Sequence, residues 1–184
     1  MSPKLLALGA SVAIAAAGAV SALAATTAPR RVTLSTPSSS GYRINRHATF
    51  NLRWNNDVYR IRSGGTLAFK NLITDPHTFS VLKKSQLPRT KSQIDRCGAQ
   101  PPARPKYPPC LAIYNAHAPD ASGSPQNPVV NKGKPGIDKP GDSIFIPPKG
   151  APQPTIEVTA KPGTVLYFIC LVHPWMQAKL VVVK

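Results

Sequence analysis

The chain has 184 residues and a formal net charge of +16, with 23 Lys and Arg against 7 Asp and Glu. That length suits one ordinary domain with a real core and extra loops. So basic a surface favours acidic partners, anionic lipid or nucleic acid, but no RNP-like aromatic pattern, zinc finger or helix-turn-helix is visible, so no nucleic-acid binding is expected.

The first stretch is not part of that domain. Lys4 precedes an alanine-rich apolar segment from Leu5 to about Val20, followed by the small-x-small pattern Ala22-Leu23-Ala24. Residues 1–24 therefore read as a secretory signal peptide. An uncleaved membrane anchor is the alternative, since the apolar run nearly reaches the ~20 residues a spanning helix needs. Both readings place the bulk of the chain outside the cytoplasm, in the periplasm, secreted or at the envelope, and membrane-anchored if the leader is retained. The leader carries only Lys4, so the mature chain keeps nearly all of the positive charge, and association with a membrane surface is compatible with it.

Residues 25–41 are rich in Thr, Ser and Pro and read as a flexible tether with one short strand at Arg31–Ser35. From residue 42 onward the pattern is that of one domain. Ala48–Trp54 alternates apolar and polar residues, Asn55-Asn56-Asp57 is a turn, and Val58–Ile61 is a short strand. Ser63-Gly64-Gly65 turns the chain into Thr66–Asn71, and His77–Leu82 follows. Residues from about 83 to 141 break this rhythm with many prolines, lysines and arginines. They read as a long basic surface insertion containing a short helix near Lys91–Arg96, because recurring proline cannot sit in a central strand. Ser143–Ile146, stopped by Pro147-Pro148, then resumes the strands. Thr155–Thr159, Val165–Ile169 and Leu180–Val183 complete them. No helix of convincing amphipathic length follows the leader. Short strands separated by turns predict an all-β antiparallel sandwich or barrel.

Cys97 and Cys110 lie in the proline-rich insertion and are expected to pair in an oxidising compartment, stabilising the fold by about 3 kcal/mol on the chain-entropy model. Cys170 is then the odd thiol of the three cysteines. It ends an apolar run, on the same strand face as Leu166 and Phe168. A thiol in such surroundings has its pKa raised unless a cation stabilises the thiolate, and a bound metal would deprotonate it outright. Within Cys170-Leu171-Val172-His173-Pro174-Trp175-Met176 lie one anionic sulfur, one imidazole and one thioether. A cysteine, two histidines and a weak axial methionine are what a mononuclear blue-copper centre needs. His77, in Asp75-Pro76-His77-Thr78-Phe79, is well placed to supply the second imidazole. Pro174 stiffens the turn and removes a backbone donor. His47 and His117 have no partners at ligand spacing and read as surface residues.

The segment from Tyr167 to Val182 resembles the copper loop of the cupredoxin family, and its C-x-x-H-P-x-M spacing is most similar to amicyanin and plastocyanin-like members. Gly65–Asn71 followed by Asp75–Phe79 resembles the segment that brings the first histidine. The resemblance covers about residues 50–81 and 144–184. It implies an eight-stranded Greek-key β-sandwich with one type-1 copper ion. It implies His77 Nδ1, Cys170 Sγ and His173 Nδ1 as equatorial ligands and Met176 as the axial one. It also implies one-electron transfer between larger redox proteins, with His173 at the surface and Pro174 and Trp175 flanking the docking patch. Thr78 departs from the family, which often has Asn after the first histidine, and is expected to hold the loop by hydrogen bonding and to affect the potential.

Catalysis by this chain alone is not expected. Multicopper oxidases and nitrite reductases need several further histidines, and this chain has four in all. A histidine brace needs histidine at the mature N-terminus, and a dinuclear purple centre needs two cysteines in the loop. The expected role is a monomeric electron carrier with acidic redox partners. The alternative is an envelope protein that handles copper without carrying electrons.

Overall fold

The computed structural model describes residues 28–99 and 103–184. The leader assigned to 1–24 and the first residues of the expected tether lie outside the described residues, as does the side chain of His47.

Among the described residues, eleven strands and two α-helices follow in order: β1 (Arg31–Thr36), β2 (Ser38–Arg43), β3 (His47–Leu52), β4 (Val58–Arg62), β5 (Thr66–Asn71), β6 (His77–Leu82), α1 (Lys91–Cys97), α2 (Pro108–Ala116), β7 (Val129–Val130), β8 (Ser143–Ile146), β9 (Thr155–Glu157), β10 (Val165–Ile169) and β11 (Gln177–Val183). One sheet has the order β4-β11-β10-β6-β8-β7 and a second β1-β5-β9, while β2 and β3 form a separate hairpin. Successive strands mostly change sheet instead of pairing, which is the Greek-key sandwich expected. The two sheets share one core, in which Leu34 and Phe69 from the smaller sheet meet Phe79, Phe168 and Leu180 from the larger. The rings of Phe79 and Phe168 lie 4.2 Å apart at its centre. At the turn between β4 and β5, a Cβ on Gly65 would come within 2.8 Å of the carbonyl oxygens of Arg30 and Arg62, so only glycine fits.

Two expectations need correction. The segment expected to be a tether is structured beyond the one strand expected at Arg31–Ser35: that strand is β1, which runs the full length of β5 in parallel, Arg31 opposite Thr66 to Thr36 opposite Asn71, and β2 pairs with β3. Leu34 is buried in the core and the Thr36 hydroxyl donates to Asn71 Oδ1. The Ser and Thr content suggested a linker, but the alternation Val32, Leu34, Thr36 gives β1 an inward face. The ordered domain therefore begins well before residue 42.

The insertion also holds a helix that was not expected. The proline run that argued against regular structure places Pro108 at the first turn of α2, where a missing N–H and a fixed φ favour helix. The expected helix near Lys91 is α1, capped by Thr90, whose hydroxyl accepts from the Gln93 N–H. The disulfide Cys97–Cys110 joins the two. They cover the outer side of the larger sheet in a second core of Leu82, Cys97, Cys110, Ile113, Tyr114, Ile169 and Leu171. All six residues of β6 are buried as a result, because this strand lies between two apolar layers. The insertion returns through Asp142, whose buried carboxylate accepts from the backbone N–H groups of Lys132, Asp138 and Lys139.

Candidate metal centre

Adjacent antiparallel strands bring the donors together. β10 pairs with β6, Phe168 opposite Val81 and Ile169 opposite Ser80. Cys170, one residue beyond β10, therefore lies beside the start of β6, where His77 stands. The loop after Cys170 closes on itself: the Met176 N–H donates to His173 O at 2.8 Å and the Cys170 N–H donates to Met176 O at 3.1 Å. Trp54 Nε1 also donates to Met176 O, tying the loop to the core. This turn points His173 back at the sulfur.

The donor atoms converge on one point. His77 Nδ1 lies 3.5 Å from Cys170 Sγ, His173 Nδ1 lies 3.8 Å from it, and the two nitrogens are 3.2 Å apart. A trigonal ion with bonds of about 2.0 Å to nitrogen and about 2.3 Å to sulfur needs donors roughly 3.5–3.7 Å apart. The sides of 3.2, 3.5 and 3.8 Å straddle that range. All three residues are buried, and no other group of three or more His, Cys, Asp or Glu side chains converges in this way among the described residues. Met176 is 1 % exposed and lies in the same core as Cys170.

Burial sets the protonation of this set. His77 is pushed down to about 3, by desolvation first and then by the neighbouring His173. Its ring is thus neutral at ordinary pH, the form that binds metals. Its Nε2 is buried with no hydrogen-bond partner among the described residues, so the ring is held by packing and by whatever occupies Nδ1. Desolvation lowers His173 as well, opposed by Asp75, whose Oδ2 lies 3.9 Å from His173 Nε2. Desolvation raises the Cys170 thiol to about 11, although backbone N–H groups of Thr78, His173 and Val172 pull the other way. A metal ion would replace that thiol proton. One soft sulfur, two neutral imidazoles and a nearby thioether, in a dry and trigonal site, fit one type-1 copper ion.

The neighbouring residues fix this geometry. The Thr78 N–H donates to Cys170 Sγ at 3.4 Å and its hydroxyl oxygen accepts from the Leu171 N–H at 2.8 Å, which stitches the two ligand segments together as expected. Pro174 has no N–H, so it offers no further donor to the sulfur, and its ring lies against Gly98 at the end of α1. Trp175 is half-exposed, stands edge-on to the His173 ring at 5.4 Å, and donates through Nε1 to Leu52 O.

His117 departs from expectation. It is 4 % exposed instead of lying on the surface. Its Nδ1 is 2.6 Å from Asn127 O and its Nε2 is 2.8 Å from Ser143 Oγ. It borders a cleft of about 650 Å³ shared with Asp75, Tyr114, Phe145, Val172 and His173. The role of Asp75 was also missed, although it stands two residues before His77 in a segment already singled out.

No family model matches the sequence, and no curated protein does. Among solved structures, the chain is similar to auracyanin of the photosynthetic bacterium Roseiflexus castenholzii at 12% identity, covering 85% of this chain and 99% of that one with a TM-score of 0.42. Auracyanin A, a blue copper protein of the green thermophilic photosynthetic bacterium Chloroflexus aurantiacus, is similar at 16% identity, covering 83% of this chain and 97% of that one with a TM-score of 0.37. A multicopper oxidase of Campylobacter jejuni is similar over 83% of this chain but only 25% of its own, at 11% identity and a TM-score of 0.34. The copper assignment rests on the donor geometry.

Proposed function

We propose that this chain is a cupredoxin that carries single electrons between redox partners outside the cytoplasm, with His77, Cys170 and His173 as strong copper ligands and Met176 as the weak axial one. The observation that carries the reading is the convergence of one sulfur and two imidazole nitrogens within 4.8 Å, all buried. Copper bound there supplies a one-electron couple between Cu(I) and Cu(II). The chain's own residues hold the donors rigidly and exclude water. The loop hydrogen bonds and Thr78 fix the ligand backbone, so little rearrangement accompanies a change of charge. His173 is the ligand that reaches towards solvent, through Nε2 facing the exposed carboxylate of Asp75. Trp175 beside it, with Pro174, forms the docking patch. A net charge of +16 suits an acidic partner. The Cys97–Cys110 disulfide supports an oxidising compartment. No described helix is long and apolar enough to cross a membrane.

The reading excludes catalysis as the main role. Of the four histidines, two are the proposed ligands and His117 is committed to Asn127 and Ser143. Voltammetry of the copper-loaded protein should give a reversible one-electron wave, and electron exchange with an acidic redox protein should slow as salt rises. An irreversible wave would favour copper handling without electron traffic. A salt-independent rate would remove the basic surface from the account.

A further inference from the structure

Behind the site, four buried polar side chains form a continuous row. Starting at the insertion, Asn127 O faces His117 Nδ1 at 2.6 Å, and His117 Nε2 faces Ser143 Oγ at 2.8 Å. Ser143 Oγ lies 2.7 Å from Ser80 Oγ, and Ser80 Oγ donates to Thr78 Oγ1 at 2.9 Å. Thr78 Oγ1 accepts from the Leu171 N–H as well. Its oxygen is thus filled from two sides, and the backbone N–H of the same residue lies 3.4 Å from Cys170 Sγ, which stands the Thr78 hydroxyl beside the sulfur. His117, Ser143, Ser80 and Thr78 are all buried, so no solvent molecule substitutes freely for a missing partner.

Counting protons along this row couples its two ends. A carbonyl oxygen only accepts, so His117 Nδ1 must carry a proton towards Asn127. Ser80 has one proton and gives it to Thr78, so Ser143 must donate to Ser80, and His117 Nε2 must donate to Ser143. Every contact is satisfied in this direction when both ring nitrogens carry protons. A neutral ring protonated at Nδ1 has to accept from Ser143 at Nε2. Ser80 then donates to Ser143, and Thr78 must turn its hydroxyl back to Ser80, away from the sulfur. The direction of three hydroxyl groups and the charge of His117 are one variable.

We propose that His117 is a positioning residue for the copper centre, which through Ser143 and Ser80 decides whether the Thr78 hydroxyl donates a hydrogen bond to Cys170 Sγ. This rests on the copper reading above, but it concerns residues that ligate nothing. Burial lowers the affinity of the ring for its proton, opposed by the Asn127 carbonyl, so the row turns below the ordinary histidine range. The proton can enter from the cleft that His117 borders. The titratable groups facing that cleft are Tyr114 on the same helix, with Asp75 and His173 on the opposite wall. Asp142, next to Ser143, is already engaged by three backbone N–H groups.

The oxidised copper protein tests this directly, because His173 is then held by the metal and cannot take up a proton at Nδ1. The visible thiolate-to-copper band is recorded from pH 7.5 downward to the loss of copper, alongside ring nitrogen chemical shifts of His117 in the reduced protein. A hydrogen bond to the thiolate lowers the energy of its donor electrons. The band should therefore move to shorter wavelength as His117 gains its proton. Ser143→Ala should abolish the movement while His117 still titrates, and His117→Gln should abolish it without a titrating ring. An equal shift in Ser143→Ala would overturn the proposal. So would a static wild-type band while the ring titrates, or a ring that gains no proton before copper is lost. Absence of any visible band at pH 7.5 would instead count against the copper reading itself.

Discussion

The strand that ends in Cys170 divides two cores that are built by different means. Leu166, Phe168 and Cys170 face the interior between the sheets, where apolar side chains from regular strands fill the space. Ile169 and Leu171 face the other way, into a smaller cluster formed by α1, α2 and the disulfide. The first core places the donor atoms; the second clamps the backbone that carries them. A strand exposed to solvent on one side would leave the ligand loop free to move. Here the alternation of a single strand puts apolar packing on both sides of the metal ligand.

That contrast can be broken from the inner side first. Phe168 is fully buried and touches Phe79, Trp54 and Tyr59. Phe168→Ala should cost about 3–5 kcal/mol, read as a lower urea midpoint of the metal-free protein. A cost under about 1 kcal/mol would mean that the core collapses around the gap and is not a rigid support. The outer side should respond differently. Replacing Cys97 and Cys110 by serine opens a link spanning 13 residues and should cost about 3 kcal/mol. The visible band of the copper form should survive, because the donors are placed from the inner core. Loss of the band would show that the clamp, not the sandwich, sets the ligand geometry.

Smaller effects sharpen the boundary between the two. Thr78→Val leaves the buried Leu171 N–H without its acceptor and should cost about 1–3 kcal/mol, with a change in reduction potential. Met176→Leu should keep the colour and raise the potential, since a weak soft ligand that favours Cu(II) is removed; an unchanged potential would demote Met176 to core packing. Acid should weaken the metal-free protein. His77 titrates near 6.5 when unfolded and near 3 when folded, so the unfolded chain takes up the proton first. The stability from the neutral buried ring is present above about 6.5 and is lost as pH falls towards about 3. Denaturation midpoints that stay constant from pH 7 to pH 5 would contradict the burial assigned to this ring.

The chemistry of the site was the most legible part of the chain because it is nearly contiguous. Cys170, His173 and Met176 lie within seven positions, and a strand-turn-strand pattern brackets them. His77 was legible because it opens the strand after Asp75-Pro76 and the terminal loop needed a second imidazole. The Cys97–Cys110 pairing followed from their closeness in the chain and the oxidising compartment that the leader implies. What escaped was long-range or was masked by composition. The strand at Arg31–Ser35 was legible, but its partner β5 lies 35 residues away, and nothing local in a Ser- and Thr-rich stretch announces that pairing or the β2–β3 hairpin. α2 begins at prolines that also signal irregular chain. His117 looked isolated because Ser143 lies 26 residues further on, and hydroxyl partners carry no spacing signature.

The most direct test of the central claim is a copper count taken with a visible spectrum on the purified protein and on Cys170→Ser. One copper per chain with an intense thiolate-to-copper band, lost in the variant, is the expected result. A colourless copper-loaded wild type, or an undiminished band in Cys170→Ser, would contradict it.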